Sequence, residues 1–140
     1  MAISSAICTS FKEELLGGVH DLDTDVLKIA LYTSSASLDA DTTVYSSVNE
    51  VANGNGYTTG GETLAGATID SSGTTAFVDF TDVTWSDATI TAAGALIYNS
   101  SQSNKAVAVL SFSGNKTSTD GDFTVQFPTA NASDAIIRLA

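Results

Sequence analysis

The sequence predicts a mostly-β fold, an antiparallel β-sandwich or jelly roll of seven to eight strands with one N-terminal α-helix. Three observations predict it. Thr, Ser, Val, Ile, Ala and Gly dominate the composition, whereas the long polar residues that fill helix surfaces are scarce. Apolar and polar side chains alternate in short runs at roughly ten-residue spacing, which is typical of strands. A parallel α/β fold needs a helix between successive strands, and a helical period occurs only at the N-terminus.

The N-terminal segment 1–18 is the part with that helical period. Four apolar residues recur there at a spacing of four: Ile3, Ile7, Phe11 and Leu15. This spacing predicts one amphipathic helix over 2–16, ended by Gly17 and Gly18. Because an exposed apolar stripe is rare on monomers, we predict that a surface covers it. Either the helix is a lid on the sandwich, or the four residues bind a neighbouring protein.

The first strand is predicted at Leu27–Tyr32, where the apolar period changes to two. The polar, turn-rich stretch 33–61 is predicted to hold short strand fragments or a binding loop. A hairpin is predicted from 63–69 and 75–80, around the turn residues at 71–73. The later predicted strands are 90–98, 105–112, 123–127 and 134–139, and the polar loops between them are 99–104 and 113–122.

The predicted core consists of inward-facing apolar residues of these strands. They are Leu27, Ile29, Leu31, Val78, Phe80, Trp85, Leu96, Val107, Val109, Phe123, Val125 and Phe127. The chain of 140 residues has the length of one domain. We therefore predict a single domain over 1–140, with the helix in 1–18 and the sandwich in 26–140.

Charge and hydropathy limit the partners. The net charge of −11, from 16 acidic and 5 basic residues, repels a phosphate backbone, so nucleic acid is not an expected partner. We find neither the roughly 20 consecutive apolar residues that cross a bilayer nor a secretory signal pattern, so no membrane partner is expected.

Residues suited to catalysis or metal binding are few. Cys8 and His20 are the only residues of their types, no catalytic or phosphate-binding motif occurs, and His20 is predicted to be structural or on the surface. The acidic run 21–25 resembles the start of a calcium loop. Val26 stands in place of its glycine and Tyr32 in place of its last carboxylate, so we predict a solvated turn. No catalytic residue, cofactor or metal ligand is predicted, and we expect that the protein is not an enzyme.

Sugar chemistry is a further alternative, because two carboxylates at the correct separation suffice for glycoside hydrolysis. The chain has one tryptophan, Trp85, and the apolar Val83 and Ala88 near it indicate a buried position rather than a stacking platform. This placement weakens the alternative of a carbohydrate hydrolase.

Five segments carry a resemblance to known proteins: SFKEELLGGVHD (10–21), LKIALYTSS (27–35), NEV (49–51), GYTTGG (56–61) and GALIYN (94–99). In this order they are similar to segments of small virion structural proteins of tailed bacteriophages. The resemblance extends over nearly the whole chain, and it names no active residue.

The resemblance implies a place in a virion that is assembled in the host cytoplasm. Small size and the absence of repeats favour a head decoration (cement) protein that binds the major capsid protein or other virion proteins. The alternatives are a tail, neck or baseplate component and a receptor- or glycan-binding module. A homo-oligomer is expected, and a trimer is the form that we predict, since closed symmetry also hides sheet edges.

Overall fold

The protein has two antiparallel sheets and one short helix in a computed structural model that describes residues 2–139. The predicted mostly-β class, consistent with a β-sandwich, is confirmed. The helix α1 is Thr9–Leu16, and a 3-10 turn lies at Ser100–Gln102. The strands are β1 (Ala6–Ile7), β2 (Leu27–Tyr32), β3 (Glu62–Thr63), β4 (Thr68–Ser72), β5 (Thr75–Asp79), β6 (Val83–Asn99), β7 (Lys105–Val125) and β8 (Ile137–Leu139).

The large sheet has the strand order β1-β7-β6-β2-β3, and the small sheet has the order β4-β5-β8. The long β6–β7 hairpin forms the centre of the large sheet, with β2 antiparallel to the second half of β6. Gly61 lies so close to β2 that a Cβ atom there would meet the Ile29 carbonyl oxygen. One core cluster contains buried residues of both sheets.

The predicted helix over 2–16 is wrong in its first half. Ile3 forms a parallel bridge with Leu38, and β1 pairs with β7, so the helix begins only at Thr9. A spacing of four fits a helix, but it is also an even number and so keeps Ile3 and Ile7 on one face of an extended chain. The extended conformation is adopted here because pairing of β1 with β7 satisfies backbone hydrogen-bonding groups on the edge of β7.

The predicted loop over 113–122 is also wrong, because β7 continues through it. Lys116, Thr117 and Ser118 pair with β6, which runs from Val83 to Asn99 with irregularities and includes the predicted strand 90–98. The polar composition has a different cause: the first half of β6 alternates between buried and exposed residues, whereas none of its partner residues at 113–122 is buried. Thr84 and Thr124 meet on the exposed face, with their hydroxyls 2.9 Å apart.

The remaining strand predictions hold in outline. The strand at Leu27–Tyr32 and the β4–β5 hairpin are confirmed. The stretch 33–61 contains only isolated bridges, in agreement with its predicted irregular character. The predicted strand 63–69 is divided between β3 and β4, and the predicted last strand is shorter, at Ile137–Leu139.

The core prediction is confirmed for every residue except Phe127, which is partly buried and packs against Phe80. Trp85 is 1% exposed and contacts the rings of Tyr57 and Phe123. No helix within 2–139 has the length and hydropathy needed to cross a membrane.

Candidate functional site: a groove between the helix and the small sheet

One face of the small sheet is apolar beyond the point where the core ends. Strand register places Ile69, Val78 and Ile137 side by side, with Ala76 and Leu139 in the next row of the same face. Val78 and Ile137 are buried, but Ile69 is 53% and Leu139 54% exposed. The outer part of this face is therefore open to solvent.

The opposite wall is formed by the end of α1 and the segment that follows it. Leu15, Gly18, His20, Asp21 and Leu22 face the small sheet across a groove of about 420 Å³. This volume lies in the range of ligand pockets, which are mostly apolar with a few polar groups. We call this recess the helix–sheet groove.

A buried polar network holds this wall in place. The His20 side chain is fully buried, with Nε2 3.0 Å from Glu14 Oε1 and Nδ1 2.9 Å from Asn99 Nδ2. Asn99 Nδ2 also donates to Asp25 Oδ2 at 2.8 Å, and Asn99 Oδ1 accepts from the Ser101 amide at 3.0 Å. These contacts orient the amide, so Nδ1 accepts and Nε2 carries the hydrogen that Glu14 accepts. Both ring nitrogens of His20 are thus occupied within the fold.

The acidic run 21–25 is a hydrogen-bonded turn at one end of the groove. Asp21 Oδ1 accepts from the Asp23 amide at 3.1 Å, and Asp25 Oδ2 accepts from the Asp21 amide at 3.1 Å. The hydrogen bond from Asn99, followed by that from the Asp21 amide, lowers the pKa of Asp25. Within 2–139, no three His, Cys, Asp or Glu side chains are grouped in a way that suits a metal ion.

A second polar cluster fixes the loop 33–61 to the large sheet, and Glu50 is at its centre. Glu50 Oε1 accepts from the Tyr45 hydroxyl at 2.6 Å, and Oε2 accepts from the Tyr57 hydroxyl at 2.5 Å and the Gly60 amide at 2.7 Å. The Tyr57 hydroxyl in turn accepts from the Leu31 amide of β2 at 2.9 Å. The carboxylate thereby links three points of the loop to the sheet.

The other two tyrosines belong to the same cluster. Tyr98 donates to the Gly60 carbonyl and Tyr32 to the Ser46 carbonyl, both at 2.6 Å, and the rings of Tyr45 and Tyr98 stack at 4.5 Å. The pKa of Tyr98 is raised to about 12, mainly by burial and secondly by the charge of Glu50. Burial is also the main cause that raises the pKa values of Tyr32, Tyr45 and Tyr57. This Glu50–tyrosine cluster was not predicted, although every tyrosine of the chain lies within the loop or on a strand that it covers.

The structure does not bring the four predicted protein-binding residues into one stripe. Phe11 is 1% exposed and packs against the His20 ring, so its own chain covers it. Leu15 lines the helix–sheet groove, whereas Ile3 and Ile7 lie on the β1 side of the large sheet. Partner binding through Ile3, Ile7 and Leu15 stays a prediction.

Ile69 and Leu139, the half-exposed residues of the groove, were missed by sequence reasoning, whereas Leu15 was predicted to bind a protein and Val78 to lie in the core. Ile69 and Leu139 were placed at the ends of predicted strands, where an apolar residue is unremarkable. Only the pairing of β4 and β8 with β5 shows that both lie on one face. No local signal in the sequence specifies that long-range arrangement.

Comparisons with models of protein families, with curated proteins and with solved structures found no match for this chain.

Proposed function

We propose that the protein is a non-enzymatic structural component of a tailed-bacteriophage particle, a decoration protein that binds the major capsid protein on the outer head. The observation that carries a binding role is the helix–sheet groove, an open apolar recess on a strongly acidic molecule. The five similar segments described above support the place in a virion.

The groove supports protein binding because exposed apolar surface is costly in water. Ile69 and Leu139 each leave about half of their surface exposed, and they lie on the same face as Ala76. Contiguous apolar patches rimmed by polar residues commonly mark interaction sites. A partner that covers this face gains apolar burial without any rearrangement of the sheet.

The groups with nucleophilic or basic character support a binding role rather than catalysis. Burial raises the pKa of the Cys8 thiol to about 11, which disfavours the reactive thiolate. His20 uses both ring nitrogens for contacts with Glu14 and Asn99. Neither group is arranged as an activated nucleophile or a free base.

Trp85 weakens the alternative of a glycan-binding module. Sugar recognition commonly uses an exposed aromatic face, but Trp85 is enclosed by the core. The alternative of a tail, neck or baseplate component differs from decoration in stoichiometry, which follows the symmetry of the structure that is bound.

The test is the copy number of the protein in purified particles of the virus that carries the gene. A gel band comparable with the major capsid band supports decoration, and a small fraction of it identifies a neck or baseplate component instead. Absence from the particle contradicts the proposal. Sedimentation of the isolated protein measures whether it is the proposed trimer.

A further inference from the structure

We propose that the helix–sheet groove binds an apolar segment of a basic polypeptide, with apolar side chains in the recess and a lysine or arginine side chain at Asp21. This inference rests on the proposed function, because it specifies the chemistry of the partner for the same surface. It commits to a cationic protein segment rather than to a second copy of the chain.

The recess itself selects apolar side chains. It is lined on the sheet face by buried Val78 and Ile137 and half-exposed Ile69 and Leu139, and on the opposite wall by Leu15. The His20 side chain is fully buried, and both of its ring nitrogens contact Glu14 and Asn99, so neither is left to bind a ligand. A polar group placed here would lose its hydration without compensation.

Charge complementarity selects a cationic flank. Asp21 lines the groove, Asp23 and Asp25 follow in the same turn, and none of the lining residues is lysine or arginine. Arg138 precedes Leu139 in the chain, but strand alternation places it on the opposite face, where its guanidinium lies 3.5 Å from the Ala132 carbonyl oxygen. An anionic partner would therefore meet repulsion without a compensating cation in the groove.

The same reasoning disfavours a second copy as the occupant. A second copy has few basic residues that could reach Asp21, since each copy has 5 basic and 16 acidic residues. The predicted trimer would therefore associate through a surface other than this groove. A basic partner gains both attraction during encounter and relief of the repulsion within this chain.

Side chains rather than a backbone ladder provide the recognition. Ile69 lies on β4, one of the two edge strands of the small sheet, and the Ser71 amide of β4 is already bonded to Asp70 Oδ1 at 2.7 Å. A peptide strand that paired there would have to displace this contact, which is one way in which sheet edges are protected. At the β4 edge, the groove therefore offers a partner contacts with side chains rather than a backbone ladder.

The binding test uses the full chain labelled with ¹⁵N and two capped peptides, Lys-Leu-Ile-Leu-Lys and Glu-Leu-Ile-Leu-Glu. We expect the lysine peptide to shift the amide signals of Leu22, Ile69 and Leu139 and to bind about tenfold more tightly than the glutamate peptide, from charge alone. Asp21→Asn keeps the acceptor for the Asp23 amide, and we expect it to weaken binding of the lysine peptide about two- to fivefold, as for an exposed ion pair. The affinity of the Asp21→Asn variant for the lysine peptide should also depend less on salt concentration than that of the unmodified protein.

Matched variants separate the groove from the rest of the surface. Leu139→Asn should weaken binding of the lysine peptide by about tenfold, through loss of apolar contact. Leu16→Asn makes the same change at a residue that is 88% exposed and outside the groove, and it should leave the affinity unchanged. Ile69→Asn makes the same kind of change at a second residue of the groove. Melting curves establish that each variant is folded.

Several results would overturn the proposal. Equal affinity for the two peptides contradicts the cationic partner, and the absence of groove shifts with either peptide contradicts the site. Self-association that Leu139→Asn abolishes identifies a second copy as the occupant. Full incorporation of Leu139→Asn into particles refutes docking through the groove but leaves the proposed function intact, whereas absence of the unmodified protein from particles refutes the proposed function alone.

Discussion

The large and the small sheet differ in how their apolar residues are covered. In the large sheet, Leu31 of β2 and Leu96 of β6 are completely buried, and the continuous buried runs in β2 and the second half of β6 show that both faces are covered there. In the small sheet, all five residues of β4 are exposed, and Leu139 of β8 is half-exposed. The large sheet therefore stabilises the fold, while the small sheet has apolar surface available for a partner.

Polar clusters account for much of this difference. The Glu50–tyrosine cluster attaches the loop 33–61 to β2 and β6, and the Asn99 network attaches the segment after α1 to the end of β6. Both clusters lie on the large sheet. The open face of the small sheet has no polar anchor of this kind among the described residues, and there the groove is open.

The largest expected effect is that of Trp85→Ala in the large sheet. We expect it to lower the free energy of unfolding by about 3–5 kcal/mol, because a fully buried aromatic side chain leaves a cavity. Chemical denaturation measures this loss. Trp85→Phe is the control: it keeps most of the volume and removes an indole N–H that is buried without a hydrogen-bond partner, so its cost should be much smaller. An unchanged melting temperature for Trp85→Ala contradicts the burial.

Glu50→Gln should have a smaller effect than Trp85→Ala. The substitution replaces one of two carboxylate oxygens by a donor, and the other loses its charge, so three charge-assisted hydrogen bonds are weakened or lost. We expect a loss of about 2 kcal/mol in the free energy of unfolding. Glu62→Gln makes the same change on an exposed residue of β3 and should be nearly neutral. Equal effects of both variants would show that the cluster does not stabilise the loop.

Alkaline pH provides a third test of the same cluster. The pKa of Tyr98 is raised from 10.0 to about 12, so between these values the unfolded chain loses the phenolic proton and the folded chain keeps it. Stability is therefore complete below pH 10 and falls as the pH rises towards 12. Tyr98 alone contributes a loss of about 1 kcal/mol near pH 11.

The three other tyrosines, whose pKa values are also raised, act in the same direction. Denaturation midpoints between pH 8 and pH 11.5 measure the total fall in stability. Hydrogen exchange over the same range should show loss of protection first in β2 and β6. Loss of protection in β5 before β2 and β6 would contradict the conclusion that the tyrosines stabilise the large sheet.

The fold class and the core could be predicted because their signals are local. Alternation at Leu27–Tyr32 and around Val78 predicts a strand whichever strands pair, although in β2 the second face, with Ala30 and Tyr32, is buried as well. The N-terminal segment shows the limit of such patterns, because the spacing of Ile3 and Ile7 suits a helix and a strand equally. Only the unsatisfied edge of β7, far along the chain, decides between them.

The groove and the Glu50–tyrosine cluster depend on contacts between distant residues. Ile69 and Leu139 share a face because both β4 and β8 pair with β5, and no local pattern gives that order. The Glu50 carboxylate has three donors from a loop with no regular structure, where periodicity carries no information. Polar composition also misled at 113–122, because a strand segment with no buried side chain is as polar as a loop.

The smallest expected effect on stability is that of Leu139→Ala. This variant is compared with Leu96→Ala. Both variants remove the same atoms. Leu96 is completely buried in the large sheet, so its loss should cost about 2–5 kcal/mol, whereas half-exposed Leu139 should cost less than about 0.5 kcal/mol. Urea denaturation, with the slope checked for constancy, measures both.

A large cost for Leu139→Ala would mean that the open face of the small sheet belongs to the core, and the helix–sheet groove would then be a packing defect rather than a site. A small cost accompanied by weaker binding of the lysine peptide would separate the two roles. Leu139 would then be unnecessary for the fold but necessary for binding a partner, which is the property expected of a residue on a docking surface.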